Sequence, residues 1–178
     1  LEILVVSDSS TDQTESIVTS IAKSSPIPIK LISQKNHAGK TAALNLAVPH
    51  ATGTILVFSD ANSIYAPDAV ARLVENFSDS RVGYVTGQML YQTETETGIT
   101  EGCTTYMGYE SFLREAETGI GSVIGVDGGI DAVRADLFVN MAADDLPDFI
   151  LPLTVAERGY IVAYDSRAKL YEAALDST

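Results

Sequence analysis

Cysteine occurs once, at Cys103, so no internal disulfide can staple the chain, and a reducing compartment suits it. Histidine is nearly as scarce: His37 and His50 have no accompanying Cys/His set with ligand spacing, which argues against a zinc site. Positive charge is short as well. Against 24 Asp and Glu there are only 11 Lys and Arg, and the net charge of −13 argues against nucleic acid or an anionic membrane face as the main partner. No stretch approaches the roughly 18 apolar residues of a membrane span, and no signal peptide opens the chain. Internal repeats and convincing linkers are missing too. The 178 residues therefore read as one domain, 1–178, long enough to bury a core. The first residue is Leu1 rather than Met, and the chain opens directly on a strand. A piece of a longer protein is expected, with any membrane segments outside it.

What is present reads as a globular α/β protein, 46% hydrophobic and 20% charged. Glu2 to Val6 is a strand by its apolar run. Helical spacing follows through Ile17, Val18 and Ile21, with Asp12 and Glu15 as a capping pair. Ile29 to Ile32 is a second strand, and Gly39 opens a helix carrying Ala42 to Ala47. A strand over 55–59 comes next, then a helix starting at Pro67, then a strand from Val82 to Leu90. This β-α-β-α-β-α-β order predicts a mostly parallel sheet flanked by helices. Past Tyr91 the pattern changes. Thr93 to Gly98 reads as a loop, Glu101 to Glu117 as a long helix, Ile130 to Val133 as a short strand, and Ala135 to Met141 as a short helix. Asp148 to Arg158 is helical and closed by Gly159. Tyr160 to Tyr164 is a final strand, and Lys169 to Glu172 fits another. The halves divide near residue 90.

The strand Ile55 to Ser59 stops abruptly at Asp60-Ala61-Asn62. If the chain stays extended there, alternate side chains point the same way and Asp60 and Asn62 offer two oxygens to one point. Outside the carboxyl end of a strand in an open α/β sheet, that pair suits a hard divalent cation carrying a phosphate. A plain polar turn explains the same residues. Other nucleotide motifs fail. Gly39-Lys40-Thr41 lacks the first glycine of a P-loop, since Gln34 stands there. Gly119-Ile120-Gly121 follows a helix and lacks the third glycine of a dinucleotide fingerprint, since Ile124 stands there.

The remaining motifs, taken in order, resemble the family 2 glycosyltransferases with the GT-A fold. Val5 to Thr14 (VVSDSSTDQT) is similar to that family's first nucleotide-binding turn. Gly39-Lys40 with Ala43-Leu44-Asn45 matches its G-K-x-x-A-L-N segment. Ser59-Asp60-Ala61-Asn62 stands where the family carries D-x-D. Asp127-Gly128-Gly129 and Ala132-Val133-Arg134 resemble its acceptor-side glycine segment and the A-x-R turn. Asp148 to Leu151, Gly159 to Val162 and Ala168 to Glu172 resemble its catalytic-base helix and closing strand.

The resemblance implies an inverting transfer of a sugar from a nucleotide-diphosphate sugar, UDP-linked first, to the hydroxyl of a sugar or lipid-linked acceptor. It implies a GT-A sheet with a small antiparallel part on the acceptor side. It also implies roles. Asp8 would meet the nucleotide base, uracil first, Lys40 the phosphates, and Asp60 the ribose or a metal-bound water. Asp60 and Asn62 would hold Mg or Mn. Asp127, Gly128 and Gly129 would contact substrate, and Asp148 would be the general base. Each has a plain alternative: a helix cap for Asp8, a solvated lysine for Lys40, a helix-start carboxylate for Asp148. The chain departs from the pattern at Ser7 and Ser9, at neutral Asn62 and at Pro147. Those departures keep a second class open, a GT-A-like domain that binds a nucleotide sugar or a partner without turnover. A cytoplasmic placement is expected, with any membrane anchor outside these residues.

Overall fold

A computed structural model describes residues 1–92, 112–119, 121–123, 125–126 and 128–173. The expected loop Thr93 to Gly98, Cys103, the first part of the expected 101–117 helix, and Asp127 lie outside the described residues. Within them, the strands are β1 (Ile3–Asp8), β2 (Ile29–Gln34), β3 (Ile55–Ser59), β4 (Ile64–Tyr65), β5 (Val82–Gln92), β6 (Ile130–Arg134) and β7 (Ile161–Ala173). The helices are α1 (Thr14–Ser24), α2 (Gly39–Ala47), α3 (Ala69–Glu75), α4 (residues 112–119) and α5 (Pro147–Glu157).

β1 and β2 form a two-stranded parallel sheet, and the other strands form a five-stranded sheet in the order β3-β6-β5-β7-β4. β5 and β7 run parallel, while β6 runs antiparallel to both its neighbours and β4 antiparallel to β7. The α/β class stands, and the sheet is mixed. Its antiparallel member from the second half, β6, lies inside the sheet between β3 and β5. β7 is one strand rather than two pieces. A shift in its register against β5, between Thr86 and Gln88, lets it run past Asp165 to Arg167 without ending.

Period-two alternation places a core on each face of this sheet. Tyr84, Val133, Val162 and Tyr164 point to one side, where Leu151 and Val155 of α5 cover them. Val85, Ala132, Ala163 and Leu170 point to the other, against Ala69 and Leu73 of α3. Each large buried apolar side chain contributes about 1.5–3 kcal/mol. The exposed Arg72 pairs with Asp68 and Glu75 contribute about 0–1 kcal/mol, so burial holds α3 in place, not its ion pairs.

α1 buries no residue, and Ile17 and Ile21 stay about half exposed, so the apolar stripe legible in its sequence is uncovered among the described residues. Its cap also differs: Asp12 accepts from the Thr14 N–H at 2.9 Å and the Thr14 hydroxyl at 2.6 Å, with no bond from Glu15. The helix expected over 135–141 shrinks to a 3-10 turn, Ala135–Leu137. Ser9 takes φ +63°, a left-handed conformation that a glycine adopts without strain.

Arg134, read as part of an acceptor-side turn, is a structural tie. Its guanidinium donates to the carbonyls of Val82 at 2.8 Å, Phe77 at 3.0 Å and Asp79 at 3.0 Å, and lies 5.3 Å over the Phe77 ring. Arg134→Ala is expected to cost about 2 kcal/mol or more, because three carbonyls lose a charged donor at once. Urea unfolding of the variant against the wild type measures it.

Candidate functional site

Helix α2 is the hub of the site. It has no cap of its own sequence; the cap comes from β1. One Asp8 oxygen accepts from the Ala38 N–H at 2.8 Å and the other from the Gly39 N–H at 2.8 Å, with His37 Nδ1 2.7 Å from the second. The Ala38 N–H is the largest influence holding the Asp8 carboxyl below the usual range, against the opposing effect of burial. Asp8 therefore caps a helix, but α2 and not the adjoining α1.

One residue on, Lys40 leaves α2 and reaches three elements. Its ammonium lies 3.1 Å from Asp60 after β3, 3.4 Å from Asp148 in the first turn of α5, and donates to the Gly128 carbonyl at 3.1 Å. Burial pulls the Lys40 pKa down, but Asp148 and Asp60 outweigh it and hold the ammonium above the usual lysine value. Asp148 moves up: burial raises it, Lys40 draws it back only in part, and the charge of Asp60 adds to the rise. Side-chain exposures of 37% for Lys40, 40% for Asp60 and 39% for Asp148 show a partly open cluster, which a substrate can reach.

Pro147 opens α5 at a position where a missing N–H costs nothing, and the dipole there favours the Asp148 carboxylate. Pro152 inside the helix has no N–H, so the Asp148 carbonyl has no donor four residues on. Gly128 packs against this carboxylate. It has φ +75°, and a Cβ built there would overlap the Asp148 carboxyl group.

The structure thus gathers Lys40, Asp60, Gly128 and Asp148 at one place. Asp8 lies one step away through the turn at Ala38 and Gly39. Of the two readings open after β3, extended segment and polar turn, the chain takes the turn. Asp60 to Ser63 form a turn closed by the Ser63 N–H to the Asp60 carbonyl at 3.2 Å, and Asn62 is exposed in it. Asp60 and Asn62 thus share one turn rather than alternate positions of a strand. Ser7, one of the departures from the family pattern, is 2% exposed, and its hydroxyl has no hydrogen-bond partner among the described residues.

Three supports had no role in the sequence reading. Asn45 exchanges two bonds with the Met141 backbone, donating to its carbonyl at 2.8 Å and accepting from its N–H at 3.1 Å. Thr41 donates to the Asp145 carbonyl at 2.8 Å, so α2 also docks the segment that leads into Asp148. Ser63 donates to Glu172 of β7 at 3.0 Å. The A-L-N triplet was the available signal for Asn45; nothing local marks the other two.

For a divalent cation the donor set is one carboxylate, Asp60, and one exposed amide, Asn62. Both are hard oxygen ligands. No group of three or more His, Cys, Asp or Glu among the described residues could cage a metal. The residues fit a cation that arrives with phosphate oxygens completing its shell, the usual habit of magnesium.

Residues 1–118 match the sequence profile of glycosyl transferase family 2. The fold is that of the GT-A glycosyltransferases. It is similar, at a TM-score of 0.82 and 27% identity over 99% of this chain and 49% of that one, to a mannosyltransferase from Pyrobaculum calidifontis in complex with GDP-Man and Mn2+. The chain belongs to glycosyl transferase family 2. Among curated proteins it is 37% identical over 82 residues to an uncharacterized glycosyltransferase of Nostoc sp., covering 46% of this chain and 25% of that one. It is 27% identical over 134 residues to a beta-monoglucosyldiacylglycerol synthase of Nostoc sp., covering 75% of this chain and 29% of that one. The chain thus spans between a quarter and a third of the length of these curated relatives. Among the described residues no helix is long and apolar enough to cross a membrane.

Proposed function

We propose that this domain carries out inverting transfer of a sugar from a nucleoside-diphosphate sugar, UDP-linked first, to an acceptor hydroxyl. The observation that carries the reading is the Lys40 ammonium, 3.1 Å from Asp60 and 3.4 Å from Asp148. In this reading Asp60 belongs to the donor side and Asp148 to the acceptor side, and the two share one cation. The diphosphate lies against Asp60, Asn62 and Lys40. The acceptor hydroxyl enters beside Gly128, Gly129 and Asp127, and its oxygen attacks the anomeric carbon as the bond to the diphosphate breaks. Asp148 takes the hydroxyl proton, and its raised pKa makes it a stronger base than an exposed aspartate. Asp60 and Asn62 would hold magnesium or manganese. Bound there, the cation would act as a Lewis acid toward the leaving diphosphate. Asp8 holds the turn at Ala38 and Gly39, and its Oδ1, with one bond already made, meets the base. The acceptor is a sugar or lipid-linked hydroxyl, and the domain lies on the cytoplasmic side of any membrane that anchors the full-length protein.

Titration with UDP, GDP and ADP, with and without manganese, tests the reading. UDP is expected to bind best, and binding is expected to tighten with metal. Asn62→Asp is expected to steepen that dependence, since a carboxylate is the better hard ligand. Asp8→Ala is expected to erase the preference among bases, because a site that hydrogen-bonds its ligand discriminates by leaving groups unpaired. Equal affinity for the three nucleotides, or affinity unchanged in excess chelator, would count against it. A second reading, binding without turnover, is favoured by buried Ser7, which is only 2% exposed and out of reach of a donor. Nucleotide binding with no transfer from any nucleotide sugar by the full-length protein would establish it.

A further inference from the structure

Resting on the reading above, we propose that Tyr65 is a positioning residue for transfer: its hydroxyl ties the end of β3 that carries Asp60 to the glycine segment against which Asp148 packs. The hydroxyl lies 2.7 Å from the Phe58 carbonyl and 3.2 Å from the Gly129 carbonyl. Phe58 stands two residues before Asp60, and Gly129 follows the Gly128 whose carbonyl holds Lys40.

The place of this tie gives it meaning. The ladder between β3 and β6 ends at the pair Ser59 and Ile130. Beyond that rung, among the described residues, no backbone bond fixes Asp60 relative to Gly128 and Gly129. Tyr65 spans the gap from outside the ladder. Its own backbone is anchored on β7 by pairing with Leu170, and the next N–H, of Ala66, donates to the Lys169 carbonyl at 2.9 Å. Its ring packs into the core cluster on the α3 side of the sheet, so the hydroxyl arrives on a rigid arm. Burial pushes the phenol up to about 12, a hydrogen bond with Ser59 drawing it back only in part and the charges of Asp131 and Asp60 adding to the rise, so it keeps its proton near neutral pH. A side chain whose only polar atom joins the two halves of a reacting pair fixes their separation, and reaction rate depends steeply on that separation.

Tyr65→Phe keeps the ring and its packing and removes only the tie. In the full-length protein the variant is expected to lower kcat roughly 10- to 100-fold, the range for a small misplacement of reacting groups. KM for the nucleotide sugar and Kd for UDP with manganese should stay within about twofold, since each half of the site remains intact. In proton–nitrogen correlation spectra the amides of Asp60, Gly128 and Gly129 should shift. Tyr160→Phe, in the opposite core cluster, should move neither rate nor these amides. A Tyr65→Phe protein with a lower Tm but wild-type kcat per folded molecule would overturn the proposal, as would unshifted amides. If the wild type transfers no sugar at all, the transferase reading fails by itself, and the amide shifts alone decide whether the tie exists.

Discussion

Asp148→Asn in the full-length protein is expected to lower sugar transfer by ~10²-fold or more, the usual consequence of losing a general base. The amide keeps the shape and polarity of the carboxyl group but cannot take the acceptor proton. UDP affinity should hardly change, because the lost interaction belongs to the transition state and not to donor binding. The pH profile gives a second check. A base must be unprotonated to act, and burial raises the Asp148 pKa above its usual 3.8. Activity is therefore expected above that raised value and lost as pH falls through it, on a limb displaced upward from an ordinary aspartate. Its contribution to stability runs the other way: the folded chain holds this proton more tightly than the unfolded one, so that contribution is present at low pH and lost as pH rises through the folded pKa. Lys40→Met removes the influence that draws Asp148 down, so the limb in that variant should lie higher still. An Asp148→Asn enzyme with full turnover would place the base elsewhere.

Local chemistry made much of the chain legible. β3 lies at 55–59 as its apolar run indicates, and α5 at Pro147–Glu157 lies within one residue of the 148–158 expected with a glycine closing its end. Gly159 has the φ of +84° that a C′ position asks for. Signals of this kind live within a few residues, and so do the motifs. What stayed hidden depends on groups far apart in the chain. Tyr65 meets Gly129 across 64 residues, Asn45 meets Met141 across 96, and Ser63 meets Glu172 across 109. Each donor has an ordinary surface role in isolation, and no periodicity marks it. After Asp60 the sequence left two readings open, an extended segment and a polar turn; Asp60, Asn62 and Ser63 are turn-forming residues, and that local preference won. Ser9 shows a departure with a physical cost: a serine holds a left-handed conformation that glycine adopts without strain.

Gly128→Ala is expected to abolish most transfer while leaving the fold in place. Two penalties meet at this position. An L-residue at φ +75° costs about 1–2 kcal/mol from its own backbone. The added methyl also falls on the Asp148 carboxyl group, so either that side chain or the glycine segment must move. Movement of either kind opens the distance between Asp148 and the acceptor path. It also loosens the Gly128 carbonyl, which holds Lys40 at 3.1 Å. A displacement near 1 Å in such a site costs on the order of 10²-fold in rate. Gly159→Ala separates the two penalties. Gly159 has a similar φ of +84°, but a Cβ there meets nothing within 4 Å. Gly159→Ala should show the drop in Tm of the backbone penalty alone, and Gly128→Ala a drop at least as large. Only Gly128→Ala should lose transfer once the rate is corrected for folded protein, and UDP with manganese should bind both variants about as well as wild type. If the two variants transfer sugar equally well per folded molecule, the contact between Gly128 and Asp148 has no part in catalysis, and the acceptor does not enter beside Gly128.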